Sequence, residues 1–508
     1  MNNASAKRYS LYSEVGIGRT LLLLLFFVAA LYEIYCLQLP LVMAICLSPL
    51  LVVFVYLAFT YHMFTFWTLF VANYFLQCLT RHGFNPLPMS GVREILQILA
   101  LLIAIIDARL FLRAKFINPM FIGMLIWMTL CTIQMFNDTC GLGFNIGTWY
   151  TGARLMCFQL VYAYLICVIY ISSPKQLYRL LKVWAVLSLI SVYWAWQQKY
   201  IGFTASERSW LMSYGARTHM VNGIIRYFSV FSDAANYGCN MAATSVLFYI
   251  VALTSRIRKD RIFFLITALA CTWSMFTSGT RTAIFCMIVG FMAYIFLSKS
   301  IKIAIPVVLV FGTLIALLAF TKIGNGNSMI RRMRTAFDKN DASAGVRDIN
   351  KEASRKYIKD APWGMGVGLD YSNVPANNKY RKLSTIPPDS EYVYIWVHTG
   401  YIGITVFVIC NIIMILGACY IVFFRLKNKA LQGIGAGICC AFVSIQLGGY
   451  GNQILCQFPN VLLFYGGLAI VYNLPYMEKD FSAEEQKRIE KEQEIRELKL
   501  KKKRESRV

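Results

Sequence analysis

The stretch "IFFLITALACTWSMFTSGTRTAIFCMIVGFMAYIFLS", residues 262–298, carries one charged side chain, Arg281, between two apolar runs. Each run, 262–278 and 282–298, has the length that crosses about 30 Å of hydrocarbon as a helix. The Ser278-Gly279-Thr280 connection is short enough only for a tight turn, so two antiparallel spans are expected, with Arg281 at a membrane edge. An ionisable group that close to hydrocarbon is a functional candidate. The competing reading is an arginine that reaches out to lipid phosphates.

The pattern extends over the chain. Its 508 residues are 58% hydrophobic and 15% charged, with a mean hydropathy of +0.54, more apolar surface than a soluble core can hide. Further apolar runs occur at 20–37, 41–60, 63–80, 93–110, 119–136, 155–172, 183–201, 239–254, 303–321, 392–424, 430–451 and 454–472. An all-α, polytopic membrane bundle of about 12–14 transmembrane helices is expected. The 392–424 run is long enough to tilt, bend or start outside the bilayer. The alternation that a closed β-barrel requires is absent.

Cations set the expected orientation. The connections Arg109 to Lys115, Lys175 to Lys182, Arg256 to Arg261, Lys299 to Lys302 and Arg425 to Lys429 are basic and alternate with connections that are not, which puts them on the cytoplasmic side. The Lys7/Arg8 end and the tail follow them inside. Two longer hydrophilic segments, 202–238 and 322–391, then fall outside. The second carries Arg331, Arg332, Arg334, Arg347, Arg355, Arg381 and several lysines, and loops of this length cross largely regardless of charge. Together with a formal net charge of +25, this external basicity points to an anionic ligand or polymer as well as to anionic lipid. Nucleic acid is disfavoured, because no binding fold for it is recognisable and the basic loop lies outside.

Other signals are plain. The first run lacks a small-x-small cleavage site and is read as an uncleaved span. The fifteen cysteines are scattered without C-x-x-C pairing and read as small buried hydrophobes. His62, His82, His219 and His398 form no i,i+4 pair, so no metal site is expected. No repeat, Walker loop or dinucleotide fingerprint occurs, and no cofactor is called for. The tail "SAEEQKRIEKEQEIRELKLKKKR", 482–504, interleaves acids and bases and reads as a solvated helix. The expected organisation is a membrane domain over 1–473, a large external loop with short helices at 322–391, and a charged cytoplasmic tail at 474–508.

Polar groups gather near the expected outer edge. "GIIRYFSVFSDAANYG", 223–238, places Arg226, Asp233 and Asn236 before a span, where helix N–H groups can receive an anion or Asp233 can simply cap. "ASAGVRDIN", 342–350, holds Arg347. "APWGMGVGLDY", 361–371, alternates Gly364, Gly366 and Gly368, which suits a close backbone approach or a turn but is not a phosphate loop. "PPDSEYVYIWVHTGYIG", 387–403, sets Asp389 and Glu391 at the outer start of a span, with His398 two turns along near the face of Glu391. A carboxylate there can cap the helix or act as a general base.

In this order the elements over residues 200–425 resemble the O-antigen ligase and polymerase family, multispanning glycosyltransferases acting on undecaprenyl-diphosphate-linked glycans. The resemblance rests on Arg226 with Asn236, on the S-G-T-R turn with Arg281, and on Arg347 followed by the glycine-rich segment to Gly368. Ser390 and Gly400-Tyr401-Ile402-Gly403 fit the spacing of the family's ligase motif, but Asp389 stands where ligases have histidine. That departure leaves ligase, polymerase and protein glycosylation open. The resemblance implies a GT-C-like bundle in the bacterial inner membrane with a periplasmic site. It implies a lipid-diphosphate glycan donor, an acceptor that is a glycan, a lipid A-core or a protein, and metal-independent, inverting transfer. Arg226, Arg281 and Arg347 would clamp the diphosphate. Asp389 would serve as base, with Glu391 and His398 as second choices, and Asp233 would orient an arginine. A transporter or flippase of a lipid-linked or anionic polysaccharide is the alternative. It would place charges and broken helices near the midplane of two related halves, and no such halves are detectable.

Overall fold

The computed structural model describes residues 28, 40–82, 89–107, 115–221, 223–298, 301–326, 328–335 and 342–505. The chain divides into a unit of residues up to Thr65 and a unit from Phe66 onward. The first unit contains α1 (Pro40–Thr60), and the division falls near the start of α2 (His62–Arg81). The second continues with α3 (Met89–Ile106), α4 (Pro119–Ile133), α5 (Ile146–Tyr170), α6 (Pro174–Tyr200) and the short α7 (Ala205–Trp210). Next come α8 (Ala234–Thr254), α9 (Arg258–Thr277), α10 (Arg281–Ser298) and α11 (Ile301–Phe320). The large loop contributes the short helices α12 (Ser328–Arg334), α13 (Ala342–Ile358) and α14 (Arg381–Thr385). α15 (Glu391–Tyr420), α16 (Lys429–Gly451) and α17 (Gly466–Glu505) complete it.

Among the described residues, eight helices are long and apolar enough to cross a membrane, and the chain is a polytopic membrane protein. α1, α3, α9 and α11 are helices at further expected spans. The expected span at 20–37 falls outside the described residues except for Val28.

Local sequence explains where the helices begin. Ser173 and Gln176 form a reciprocal capping box that starts α6 nine residues before its apolar run. Asp233 accepts hydrogen bonds from the backbone N–H groups of Ala235 and Asn236, which starts α8 five residues earlier than its apolar run suggests. α8 is the central helix, buried over most of its length against α9, α10 and α16. Small residues permit this closeness: a Cβ on Gly290 of α10 would collide with Ser444 Oγ of α16.

The last expected span, 454–472, is only partly helical. Residues 452–460 form an irregular loop ending in the cis Phe458–Pro459 bond, and helix resumes at Val461. The tail also departs from expectation, since the last span runs without interruption into it as α17. Its first part is packed rather than solvated. Glu478 accepts hydrogen bonds from the Lys427 and Asn428 N–H groups at 2.6 Å, Asn428 donates to Glu485 at 2.8 Å, and Arg488 pairs with Asp260 at 2.7 Å. The basic connections 175–182, 256–261 and 425–429 therefore meet the tail at one end of the bundle. The connections at 109–115 and 299–302 lie partly outside the described residues.

Candidate functional site

The site is at the opposite end and starts from the turn between α9 and α10. Gly279 has φ of 59°, the left-handed conformation that lets the chain reverse in three residues. Thr280 Oγ1 donates to Ala234 O at 2.8 Å, tying the turn to the start of α8. Arg226 arrives from the preceding segment and donates to Thr218 O at 3.0 Å and to Thr280 Oγ1 at 2.9 Å. From the other side, Arg332 of α12 donates through Nε to Gly279 O at 2.7 Å. Arg281 in turn reaches Thr335 O at 3.2 Å and Thr335 Oγ1 at 3.1 Å. Three arginines distant in sequence thus share one turn.

Their mutual charge is felt. Burial, with the neighbouring Arg332 and Arg347 cations, lowers the Arg226 guanidinium to about 10 against the opposing pull of Asp233. Arg226 stays cationic at neutral pH, and cations this close are the arrangement that an anion stabilises.

The segment that delivers Arg226 is held tightly. Met220–Val221 pairs antiparallel with Ile224–Ile225, and Arg226 N donates to His219 O at 2.8 Å. Ser229, at φ 53°, is fixed by Gln198, by its hydroxyl bond to Ser191 O at 2.6 Å, and by Arg81, which donates to Ser229 O at 3.1 Å. His219, 3% exposed, accepts from Ala234 N at 3.2 Å and donates to Gly215 O at 3.1 Å. Burial lowers its pKa to about 4, so it is neutral here. Asp233 acts as the α8 cap. Asn236 is buried and binds Gln457 at 3.1 Å, Phe458 O at 2.7 Å and Asn460 at 2.8 Å, which locks α8 to the 452–460 loop.

Beside the turn opens a cavity of about 910 Å³. Its walls include Thr282 next to Arg281, the cations Arg347, Lys351 and Arg355 and the acids Asp348 and Glu352 of α13, and Asp389. The i, i+4, i+8 spacing on α13 brings the three cations to one face. The floor is apolar and aromatic, with Phe285, Tyr392, Trp396, Ile404, Leu447 and Tyr450 contributed by α10, α15 and α16. Asp389 has φ of 54°, uncommon for a residue with a side chain, and accepts a hydrogen bond from Asn350 Nδ2 at 2.7 Å.

The other candidate bases face elsewhere. Glu391 is buried and accepts from Leu455 N at 3.0 Å, anchoring the 452–460 loop. His398 is buried and donates from Nδ1 to Gly366 O at 3.0 Å. Neither is among the residues lining the cavity. α15 is interrupted at Gly400, φ 68°, and the glycine-rich segment seats against that break through Met365 N to Val397 O at 2.9 Å and Gly366 N to His398 O at 3.1 Å. The close approach of these glycines is to protein backbone: Gly364 abuts Thr399 and Gly400, and Gly368 abuts Thr148 and Gly152.

The structure thus sets Arg226 and Arg281 on one turn, with Arg347 near enough to influence Arg226, and sets Arg347 and Asp389 in one cavity, which reaches the turn at Thr282 and is not lined by Arg226, Arg281 or Arg332. It adds Arg332, Lys351 and Arg355, which the sequence offered only as part of a basic loop. The i, i+4, i+8 repeat was available as a signal for the α13 cations. Nothing local distinguishes Arg332 from Arg331 and Arg334.

Residues 241–408, about a third of the chain, match the family model described as O-antigen ligase. The matched segment contains the Arg281 turn, the large loop and Asp389, but begins after Arg226, Asp233 and Asn236. No curated protein matches the chain.

Proposed function

We propose that this chain is a glycosyltransferase of GT-C-like architecture in the bacterial inner membrane, moving or polymerising glycan from an undecaprenyl-diphosphate donor at the periplasmic face. The observation that carries the reading is the pairing of an arginine cluster with a cavity that has a charged wall and an apolar floor. A lipid diphosphate has the same two-part character. Its prenyl chain would enter along Phe285, Leu447 and Tyr450, and its diphosphate would lie toward the Arg281 turn. Arginine suits the role because it keeps its charge and can grip phosphate oxygens in a fork.

In the transfer step the acceptor hydroxyl attacks the anomeric carbon from the side opposite the diphosphate. The new glycosidic C–O bond forms as the C–O bond to the diphosphate breaks, with inversion. The hydroxyl proton passes to Asp389, and the electron pair leaves on the lipid diphosphate, whose growing charge Arg226, Arg281 and Arg332 offset. The acceptor would be a glycan, a lipid A-core or a protein side chain.

The test is reconstitution with a purified lipid-diphosphate glycan and candidate acceptors without added divalent metal, comparing wild type with Arg281→Ala. Transfer by wild type and none by the variant at equal expression is expected. Equal transfer by both would reject the clamp.

A further inference from the structure

The end of the bundle remote from the arginine cluster holds a second cavity, of about 500 Å³, where α6, α9 and α17 meet. At its centre Asp260, 5% exposed, pairs with Lys182 at 3.2 Å and with Arg488 at 2.7 Å. The Arg488 guanidinium also lies 4.2 Å over the ring of Tyr178, and its buried Nη1 has no hydrogen-bond partner among the described residues. Lys259 and Lys491 line the same cavity. The second carboxylate there, Glu492, accepts from Arg258 N at 3.0 Å. Lys182, Lys259, Arg488 and Lys491 face only Asp260 and Glu492, so the cavity keeps a cationic surplus.

The rest of its wall is apolar, through Val186, Phe263 and Ile495. Apolar side chains continue from it along both spans. Val186, Ile190 and Tyr193 follow one another on α6 at spacings of four and three, and Ile262, Ile266 and Leu269 do so on α9; all six are exposed. A soluble anion would engage the cationic rim alone. The two tracks have the direction and chemistry of hydrocarbon tails leading away from a headgroup.

We propose that this cavity binds the phosphate headgroup of an anionic phospholipid, with the acyl chains lying along α6 and α9. The lipid bridges Lys259 of α9 to Lys491 and Arg488 of the tail, and so secures α17 to the spans. The two framing helices are the ones that lead, at their other ends, to the segment holding Arg226 and to the turn before Arg281. This inference is independent of the proposed transfer reaction.

The experiment uses the full chain in mixed phosphatidylglycerol and phosphatidylcholine nanodiscs, with retained lipid identified by native mass spectrometry after release. Wild type should retain phosphatidylglycerol selectively. Lys259→Gln and Lys491→Gln, neither of which breaks the Asp260 ion pairs, should each reduce retention about fivefold per cation lost. Unchanged helical content and a monodisperse elution profile of these variants would show that folding is intact. Equal retention of the two lipids by wild type, retention by the variants equal to that of wild type, or displacement by millimolar inorganic phosphate would each overturn the proposal.

Discussion

Arg332 donates its Nε proton to the carbonyl oxygen of Gly279 at 2.7 Å. A cation from the large loop is thereby fixed on the turn that introduces Arg281, and Arg281 returns the contact to Thr335, three residues after Arg332. The loop and the turn are held by reciprocal side-chain to backbone bonds.

Removing this contact should therefore cost more than a surface charge. Arg332→Ala is expected to lower transfer about a hundredfold, the scale for losing one preorganised charge-stabilising donor. Arg332→Lys should recover little, because an ammonium cannot hold Gly279 O and present a planar fork at once. Initial rates at saturating donor measure this; a lysine variant as active as wild type would reduce Arg332 to a generic positive charge.

Asp389→Asn is a clean probe of the proposed base. Asparagine tolerates the left-handed backbone and can still accept from Asn350, so the loop should keep its shape while the charge is lost. Transfer is expected to fall between about 10² and 10⁴-fold. A pH–rate profile and turnover matching wild type would remove Asp389 from proton transfer.

The break in α15 makes Gly400 a structural keystone. A Cβ there would run into Pro362 O, and φ of 68° would strain any other residue. Gly400→Ala should destabilise the protein by about 1–3 kcal/mol or more and release the glycine-rich segment from His398. Thermal unfolding in detergent and protease cleavage near residues 361–369 report on both effects, and an undisturbed melting curve would contradict the packing.

His219 supplies a pH dependence with a defined sign. Burial lowers its folded-state pKa from 6.5 to about 4, so the unfolded chain binds a proton that the folded chain excludes. Its contribution to stability is full above about 6.5 and is lost as pH falls toward about 4, with a slope of at most ~1.4 kcal/mol per pH unit. His219→Gln should flatten stability over that window. A wild-type curve already flat there would show that the imidazole is charged in the fold.

Helix existence was legible because lipid imposes a long apolar period that local chemistry scarcely disturbs. Helix ends were less so. α8 begins at Ala234 rather than near 239 because Asp233 caps it, and the polar Asn236 that masked this start is spent on the 452–460 loop. That loop was hidden within an apparently apolar run, since its pairing depends on Asn236 and Glu391, which are remote in sequence. Within the site, Arg281 stood out through its isolation between apolar runs, and Asp389 through its place in the spacing of the resembled ligase motif. Arg332 did not, because its significance lies in a backbone oxygen 53 residues away. Glu391 and His398 share the helical spacing that suggested chemistry, but burial turns both toward protein backbone.

The unbroken course of α17 has a practical result for mapping this molecule across its bilayer. Forty residues of helix from Gly466 to Glu505 extend about 60 Å as a rod whose middle is bolted to three separate basic segments. A fluorescent or enzymatic reporter fused beyond Glu505 would consequently disclose, in one measurement, the compartment occupied by residues 175–182, 256–261 and 425–429 together.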